Sequence, residues 1–187
     1  MDRYLEFRLR PDPEFVPMVL MNALFAKLHR GLVTLRTDQI GVSFPDVDQE
    51  SLSLGERLRL HGSAAELERL MSHDWLRGMN DLVRIQPASS IPDPEGHRVV
   101  RRVQADSNPE RLRRRRMRRK GEDRKAALQA VPDSAAEYVA RPFVSLKSQS
   151  TGHHFRLFIE HGPVVEEPVP GRFSTYGLSS TATIPWF

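Results

Sequence analysis

Apolar and polar residues alternate at the start of the chain and then change to a longer period. Residues 3–9 place an apolar side chain at every second position, which is the pattern of a half-buried β-strand. From Glu14 the apolar residues recur at helical spacing, and this predicts an amphipathic helix. Gly31 is a residue type that favours the position just past a helix, so we expect the helix to end there.

The first half of the chain continues with further strand and helix patterns. Residues 40–44, 56–61 and 82–86 read as strands, and residues 63–71 as a short helix in which Ser63 and Glu66 form a capping box. The resulting order is β-α-β-β-α-β, the order of a ferredoxin-like, RRM-like domain. We therefore predict an α+β fold in which residues 1–94 form a ferredoxin-like domain.

A proline-rich segment, residues 87–96, is the best candidate for a linker. Beyond it, residues 95–187 form a second predicted half with a different pattern. We predict strands at residues 99–103, 143–146 and 155–159, the last two joined by a polar connection. Helical stretches are expected from Ser107, around residues 124–130 and at residues 135–140, and the last stretch is expected to be rich in loops.

The charge of the chain is unevenly placed. Of its 28 basic and 24 acidic residues, 12 basic and 4 acidic ones lie between Arg101 and Lys125, so this segment carries +8 and the rest of the chain −4. A mildly acidic body with one strongly cationic segment indicates a polyanionic partner that binds at one place.

The cationic segment has the signals of a well-formed helix over residues 108–120. Ser107 is a capping residue, Pro109 suits the first turn, and Gly121 is a natural stop. At 100° per residue, one arc of roughly 140° collects five arginines: Arg111, Arg114, Arg115, Arg118 and Arg119. Because like charges at this spacing repel, the helix needs a compensating polyanion, unless it is only a solvated basic surface. Duplex DNA, hairpin RNA and a ribonucleoprotein all remain open, and structured RNA gains weight because no DNA-reading motif is present.

Composition limits the chemistry that the chain can perform. There is no cysteine, which excludes disulfide scaffolds, cysteine-based zinc sites and thiol nucleophiles. No export signal or membrane-spanning segment is apparent, so we expect a cytoplasmic protein with no membrane partner. Asp46, Asp48 and Glu50 form an acidic cluster that reads better as a polar turn than as a metal site. His29 lies near the end of the first long helix, where it either complements the helix dipole or acts in catalysis.

Several short motifs together resemble a known family. These motifs are, in chain order, IGVSFP at residues 40–45, LGERLRLH at 54–61, VQA at 103–105, SNPERLR at 107–113, SQSTG at 148–152, HFRLF at 154–158, YGLS at 176–179 and the closing PWF. Over its full length the chain is similar to the CRISPR repeat-RNA processing endoribonuclease of the type I-F system. The sequence departs from the family pattern at Arg116, where an apolar residue is expected, and at Asp106, where a basic one is expected.

The resemblance implies a ferredoxin-like N-terminal half and an elongated C-terminal half that bears the arginine-rich helix. It implies cleavage at the 3′ base of a repeat hairpin without a metal or other cofactor, with His29 as the catalytic histidine. By the same match, Ser148 holds the attacking 2′-hydroxyl and Tyr176 orients or assists the imidazole. The match also assigns the RNA contacts. Arg102 and Gln104 read base pairs at the foot of the stem, and Phe155 stacks on the terminal pair. Ser150 and Thr151 contact the RNA backbone, and the phosphates are bound by four arginines of the helix: Arg114, Arg115, Arg118 and Arg119.

The expected product is a 2′,3′-cyclic phosphate on a mature crRNA to which the protein stays bound, within a type I-F surveillance complex. A second hypothesis is a hairpin-binding subunit of a ribonucleoprotein that does not cleave RNA. A third is a metal-dependent nuclease that uses Asp46, Asp48 and Glu50.

Overall fold

The computed structural model describes residues 1–104, 109–132, 139–149 and 151–187, with the side chains of residues 109–111 outside that description. Two compact units are present. One unit comprises residues 1–102 and 141–187, and the other comprises residues 103–140. The described residues form two four-stranded sheets and four α-helices, so the predicted mixed α+β class is confirmed. The division into domains 1–94 and 95–187 concerns independent folding and stays a prediction.

The first sheet and its two helices come from the first half of the chain. Their bounds are β1 Arg3–Leu9, α1 Pro17–Leu35, β2 Gly41–Ser43, β3 Arg57–Gly62, α2 Ala64–Met71 and β4 Val83–Ser90. The strands lie in the order β2-β3-β1-β4, and each neighbouring pair is antiparallel. The Ser63 hydroxyl accepts a hydrogen bond from the Glu66 N–H at 3.3 Å, so the predicted cap of α2 is present.

Helix α1 is longer than the sequence pattern predicted. It passes through Gly31 and ends at Leu35, with Arg36 in the left-handed region at φ 52°. The expectation that Gly31 ends the helix is therefore wrong. A Cβ on Gly31 would lie 3.2 Å from Leu70 and 3.3 Å from Trp75. Glycine suits this helical position because α1 packs closely on these side chains, and a larger residue would have to displace them.

The predicted linker at residues 87–96 is only partly correct. Strand β4 continues through Pro87 to Ser90, and a new strand begins at Gly96. Proline is tolerated here because β4 is at the edge of its sheet and its register against β1 shifts in this region. Residues 91–95 form the connection.

The second sheet is built from the second half of the chain. Its strands are β5 Gly96–Val103, β6 Phe143–Lys147, β7 His154–His161 and β8 Thr183–Trp186, in the order β6-β7-β5-β8. Strand β8 lies in the stretch that was expected to be rich in loops. Pro185 obscured it, but β8 is an edge strand that pairs with β5, where a missing N–H is tolerated.

Both sheets contribute to one apolar core. Fully buried side chains from the first sheet and α1, such as Phe7, Leu24 and Leu58, belong to the same cluster as Leu157 and Ile184 of the second sheet. Burying a side chain of this size contributes about 1.5–3 kcal/mol. This shared core fixes α1 against the second sheet. Among the described residues, no helix is long and apolar enough to cross a bilayer.

The second unit contains two helices, α3 Pro109–Lys120 and α4 Arg124–Ala130, which pack against each other. The Asp123 carboxylate caps α4 by accepting from the Ala126 N–H at 2.7 Å. One arginine of α3, Arg113, is buried and donates from Nε to the Val131 carbonyl at 2.7 Å. The predicted helix cap at residues 107–108, the predicted helix at residues 135–138 and Asp106 lie outside the described residues.

Arg116 departs from the family pattern but has a defined partner. Its Nε and one terminal nitrogen each donate to a Glu122 carboxylate oxygen at 2.8 Å. The pair raises the pKa of Arg116 and lowers that of Glu122. A charged residue therefore fits this face of α3 because an acidic residue just beyond the helix neutralises it.

Candidate active site and nucleic-acid interface

A cleft of about 590 Å³ lies within the first unit, between the C-terminal half of α1, the β6–β7 hairpin and the turn that carries Tyr176. The three predicted catalytic residues, His29, Ser148 and Tyr176, line it together. Its other lining residues are Ala26, Arg30, Arg102, Leu146, Lys147, Gln149, Thr151, His153 and Phe155. This described lining carries three strong cations and no carboxylate, so the cleft favours an anionic ligand.

His29 is held in a defined orientation by two contacts. Its Nδ1 lies 2.8 Å from the Thr175 carbonyl oxygen, and its ring stacks on Tyr176 with centroids 4.1 Å apart and planes at 11°. Because a carbonyl oxygen can only accept, Nδ1 carries the proton. In the neutral imidazole, Nε2 is then unprotonated and able to accept a proton from a ligand.

The Tyr176 ring also contacts a second aromatic residue of α1. Phe25, one helical turn before His29, stacks in parallel with Tyr176 at 6.4 Å and 2°. Side chains at i and i+4 lie on one helix face, so the tyrosine ring covers both of them. Tyr176 is half-buried, and no hydrogen bond from its hydroxyl is present within the described part of the chain. Its contribution to the site is therefore the face of its ring.

A tight turn supplies both groups that hold His29. The Ser174 N–H donates to the Leu178 carbonyl and the Gly177 N–H to the Ser174 carbonyl, each at 2.8 Å. The Gly177 carbonyl accepts from the Val42 N–H of β2 at 3.0 Å, which ties the turn to the first sheet. Gly177 has φ +69°, and a Cβ there would lie 2.5 Å from Val42 Cγ1. Only glycine fits this position without strain.

Asn22 connects the helix that carries His29 to the hairpin that carries Ser148. Its side-chain oxygen accepts from the Ser145 N–H of β6 at 2.9 Å. From this contact, seven residues of helix lead to His29 and three residues of strand lead to Ser148. Each path is about 10 Å long. These equal lengths explain why both side chains reach the same cleft.

Ser148 begins the connection between β6 and β7. Its N–H donates to the His153 carbonyl at 2.9 Å, and its carbonyl accepts from the Gly152 N–H at 2.9 Å. Its hydroxyl oxygen also accepts from the Thr151 N–H at 3.3 Å. The predicted polar connection is therefore present, and its hydrogen bonds hold the Ser148 hydroxyl beside the cleft.

Two other histidines, one fully buried and one half-buried, differ from His29. His61 is fully buried, and burial lowers its pKa to about 3. Burial likewise lowers the pKa of His161 to about 4, and its Nε2 accepts from the Phe44 N–H at 3.2 Å. Neither lines the cleft. Both are neutral at pH 7 and act as packing groups.

The predicted RNA contacts are divided between the two units. Arg102, Thr151 and Phe155 line the cleft of the first unit. In the second unit, Gln104 is exposed, and so are four arginines of α3, namely Arg114, Arg115, Arg118 and Arg119. Ser150 and the side chain of Arg111 lie outside the described residues.

The acidic cluster has structural partners of its own. Asp46 accepts from Arg57 Nε at 2.8 Å, and this arginine holds the pKa of the carboxyl below its usual range. Asp48 accepts from the Glu50 N–H and from the Ser51 hydroxyl within a tight turn. None of the three acidic residues lines the cleft. This fits a polar turn.

Sequence reasoning missed four contributors to the site. Asn22 and the Thr175 carbonyl orient other groups, while Arg30 and Lys147 add charge to the cleft. Arg30 and Lys147 are direct neighbours of His29 and Ser148 in sequence, which is the one signal that could have found them. The Asn22 and Thr175 contacts have no signal in the sequence, because each bridges more than a hundred residues.

Comparisons with known proteins identify the family of the chain. The family model described as "CRISPR-associated protein (Cas_Csy4)" matches residues 4–187. The chain is 52% identical over 187 residues to "CRISPR-associated endonuclease Cas6/Csy4" of Pseudomonas aeruginosa strain UCBPP-PA14, covering 100% of both chains. It is 48% identical over 187 residues to the protein of the same description from Escherichia coli strain UTI89, again with 100% coverage of both. The resemblance drawn from the sequence motifs is thus confirmed, and the chain belongs to the Cas_Csy4 family of CRISPR-associated proteins.

Proposed function

We propose that the chain is an endoribonuclease that binds the hairpin of CRISPR repeat RNA and cleaves at its 3′ base without a metal ion. The observation that carries the proposal is the fixed imidazole of His29. Its Nδ1–H is directed to the Thr175 carbonyl, its face lies on Tyr176, and its cleft is cationic and shared with Ser148. The endonuclease names of two full-length relatives support the same reading.

The reaction is an internal transesterification. The 2′-hydroxyl oxygen of the nucleotide before the scissile bond attacks the phosphorus, and the bond from phosphorus to the 5′-oxygen breaks. His29 Nε2 takes the hydroxyl proton, and the departing 5′-oxygen takes a proton from the imidazolium or from water. The products are a 2′,3′-cyclic phosphate and a 5′-hydroxyl.

Two effects account for most of the expected acceleration. General base catalysis by a placed histidine contributes on the order of 10²–10⁴-fold. Ser148 positions the attacking hydroxyl, which favours the in-line geometry that the reaction needs. Tyr176 and Thr175 contribute indirectly, because they hold the imidazole.

Recognition of the hairpin uses both units. Arg102 and Gln104 read base pairs at the foot of the stem, and Phe155 stacks on the terminal pair, with Ser150 and Thr151 at the backbone. Exposed guanidinium groups suit bidentate contacts with phosphates, which supports an RNA-gripping role for one face of α3. That face carries Arg111, Arg114, Arg115, Arg118 and Arg119. The protein then stays on its product and enters a type I-F surveillance complex.

The fold proposed for residues 1–94 is the ferredoxin-like one. The element order βαββαβ and the antiparallel strand order β2-β3-β1-β4 support it. In this arrangement both helices pack on one face of the sheet. The C-terminal half of α1 then projects His29 toward the second half of the chain.

The test is cleavage of repeat hairpin RNA by the His29→Ala variant. We expect normal binding and a loss of cleavage of at least 10²-fold, because the base is gone and the cationic surfaces remain. His154→Ala is the matched control, since His154 is exposed and outside the cleft lining. Undiminished cleavage by His29→Ala would remove the histidine from the mechanism.

Two changes of conditions test the remaining parts of the proposal. A hairpin with a 2′-deoxy residue at the scissile position should bind and stay whole, and its cleavage would rule out attack by the 2′-hydroxyl. Cleavage should persist in EDTA. Intact RNA in EDTA with cleavage restored by Mg²⁺ would favour a metal-dependent nuclease, and intact RNA under both conditions would favour a subunit that only binds.

A further inference from the structure

A second, smaller cleft adjoins the candidate active site within the same unit. It has a volume of about 320 Å³ and lies between α1 and the segment that follows α2. Its polar lining consists of Lys27, Arg30, Thr34, His73, Asp74 and Arg77. Arg30 lines both clefts, so the two cavities lie on adjoining faces of the same helix and share one guanidinium group.

The smaller cleft carries an excess of positive charge. Lys27 and Arg30 are three residues apart on α1, so they occupy neighbouring positions on one helix face. Arg77 adds a third cation from the opposite wall, against the single carboxylate of Asp74. Throughout the described ranges, no carboxylate lies within ion-pair distance of Lys27, Arg30 or Arg77. An anionic ligand would relieve their mutual repulsion.

The walls of this cleft are fixed. The Lys27 ammonium donates to the Arg77 carbonyl at 2.5 Å, which ties α1 to the opposite wall. Trp75 is buried against Gly31 of α1, where a Cβ would approach its side chain to 3.3 Å, and it contacts Phe7 edge to face at 5.3 Å. The cationic groups are therefore displayed on a preformed surface, as a binding site requires.

We propose that the smaller cleft binds phosphates of the single-stranded RNA that flanks the hairpin, an inference that rests on the proposed function. If Phe155 closes the end of the stem, the chain that continues past it is unpaired and carries one phosphate per nucleotide. A polymer can contact both clefts through Arg30, whereas a free nucleotide cannot. Arg77 is exposed and the indole of Trp75 is buried, so charge dominates what the cleft offers to a ligand. Phosphate contacts carry no sequence information, so it binds the flank irrespective of sequence.

The experiment compares three RNAs: the bare repeat hairpin, the hairpin with a short 5′ run of uridines, and the hairpin with a short 3′ run of uridines. A 2′-deoxy residue at the scissile position prevents cleavage. Binding of the Lys27→Gln/Arg77→Gln double variant is measured at several salt concentrations. The control is Arg10→Gln/Arg84→Gln, which removes the same charge from a separate basic cleft at β1 and β4.

We expect the double variant to bind the bare hairpin like the unsubstituted protein and to bind one flanked hairpin about tenfold more weakly. Loss of two single-strand phosphate contacts also reduces the salt slope by about 1.4 for that RNA alone. The flanked RNA whose binding weakens shows whether the cleft binds the 5′ or the 3′ flank. The single variant Arg77→Gln, at an exposed position, should give about half the change in slope.

Two results would overturn the inference. One is unchanged binding of both flanked RNAs, and the other is an equal loss in the Arg10→Gln/Arg84→Gln control, which would indicate only a general effect of net charge. Failure of the unsubstituted protein to bind the bare hairpin is a different result, because it refutes the proposed function itself. Bare-hairpin binding by the double variant also shows that the variant is folded.

Discussion

The stacked pair of Tyr176 and His29 allows the role of the tyrosine to be separated into its ring and its hydroxyl. The ring lies 4.1 Å from the imidazole at 11°, and the hydroxyl has no hydrogen bond in the described part of the chain. Tyr176→Phe keeps the ring and removes the hydroxyl. Tyr176→Leu removes both. If the tyrosine acts by holding the imidazole, only the second change should slow cleavage.

The size of the effect follows from the strength of such a contact. Aromatic pairs contribute about 0.5–1.5 kcal/mol beyond their buried area, which corresponds to about twofold to tenfold in rate if the lost contact leaves the imidazole free to rotate. The Thr175 carbonyl still holds Nδ1 in the leucine variant, so we do not expect a complete loss. Tyr176→Phe should cleave within about twofold of the unsubstituted protein.

The assay is single-turnover cleavage with protein in excess over labelled hairpin, because the proposed retention of the product would hide the chemical step in multiple turnover. Binding to the 2′-deoxy hairpin is measured in parallel and should not change. Phe158→Leu is the matched control, since it removes an edge-to-face pair with Phe143, 5.6 Å between centroids, away from the cleft. Equal losses in Tyr176→Phe and Tyr176→Leu would refute the reasoning and assign a chemical role to the hydroxyl.

Three further predictions concern the turn, the arginine-rich helix and a half-buried histidine. In Gly177→Ala the added Cβ would lie 2.5 Å from Val42 Cγ1 at a φ of +69°, which is a steric clash. The change should lower the free energy of unfolding by more than about 1 kcal/mol and slow cleavage, measured by urea unfolding and single-turnover rates. Replacing Arg114 and Arg115 with Gln should reduce the salt slope of hairpin binding by about one unit per lost phosphate contact, whereas Arg116→Gln should not. The pKa of His161 is near 6.5 in the unfolded chain, and burial lowers it to about 4 in the folded protein. The unfolded state therefore binds more protons between these pH values, and the free energy of unfolding falls as the pH drops. In His161→Gln the fall in unfolding free energy between pH 6.5 and 5, measured by urea titration, should be smaller by about 1.5 kcal/mol, and an equal fall would contradict the burial argument.

Local patterns were sufficient for most elements of the fold. Alternation predicted β1 over Arg3–Leu9, and helical spacing predicted α4 over Arg124–Ala130. These predictions succeed because side-chain period and capping residues act over a few residues. The errors at Gly31 and Pro87 share one cause. The local preferences of glycine and proline predict a helix end and a linker. In the structure, Gly31 lies inside α1 at a close contact with other side chains, and Pro87 lies in a strand at the edge of its sheet.

The chemistry of the site likewise depends partly on the sequence alone and partly on the tertiary structure. The sequence determined that the protein has a strongly cationic helix, that it has no thiol chemistry, and, through its motifs, which family it belongs to. Only the tertiary structure decided that His29 has its proton on Nδ1 and that Ser148 and Tyr176 share its cleft. It did so because these groups come from segments more than a hundred residues apart. Their meeting depends on the Asn22–Ser145 hydrogen bond and on a turn fixed to β2, contacts that no local pattern encodes.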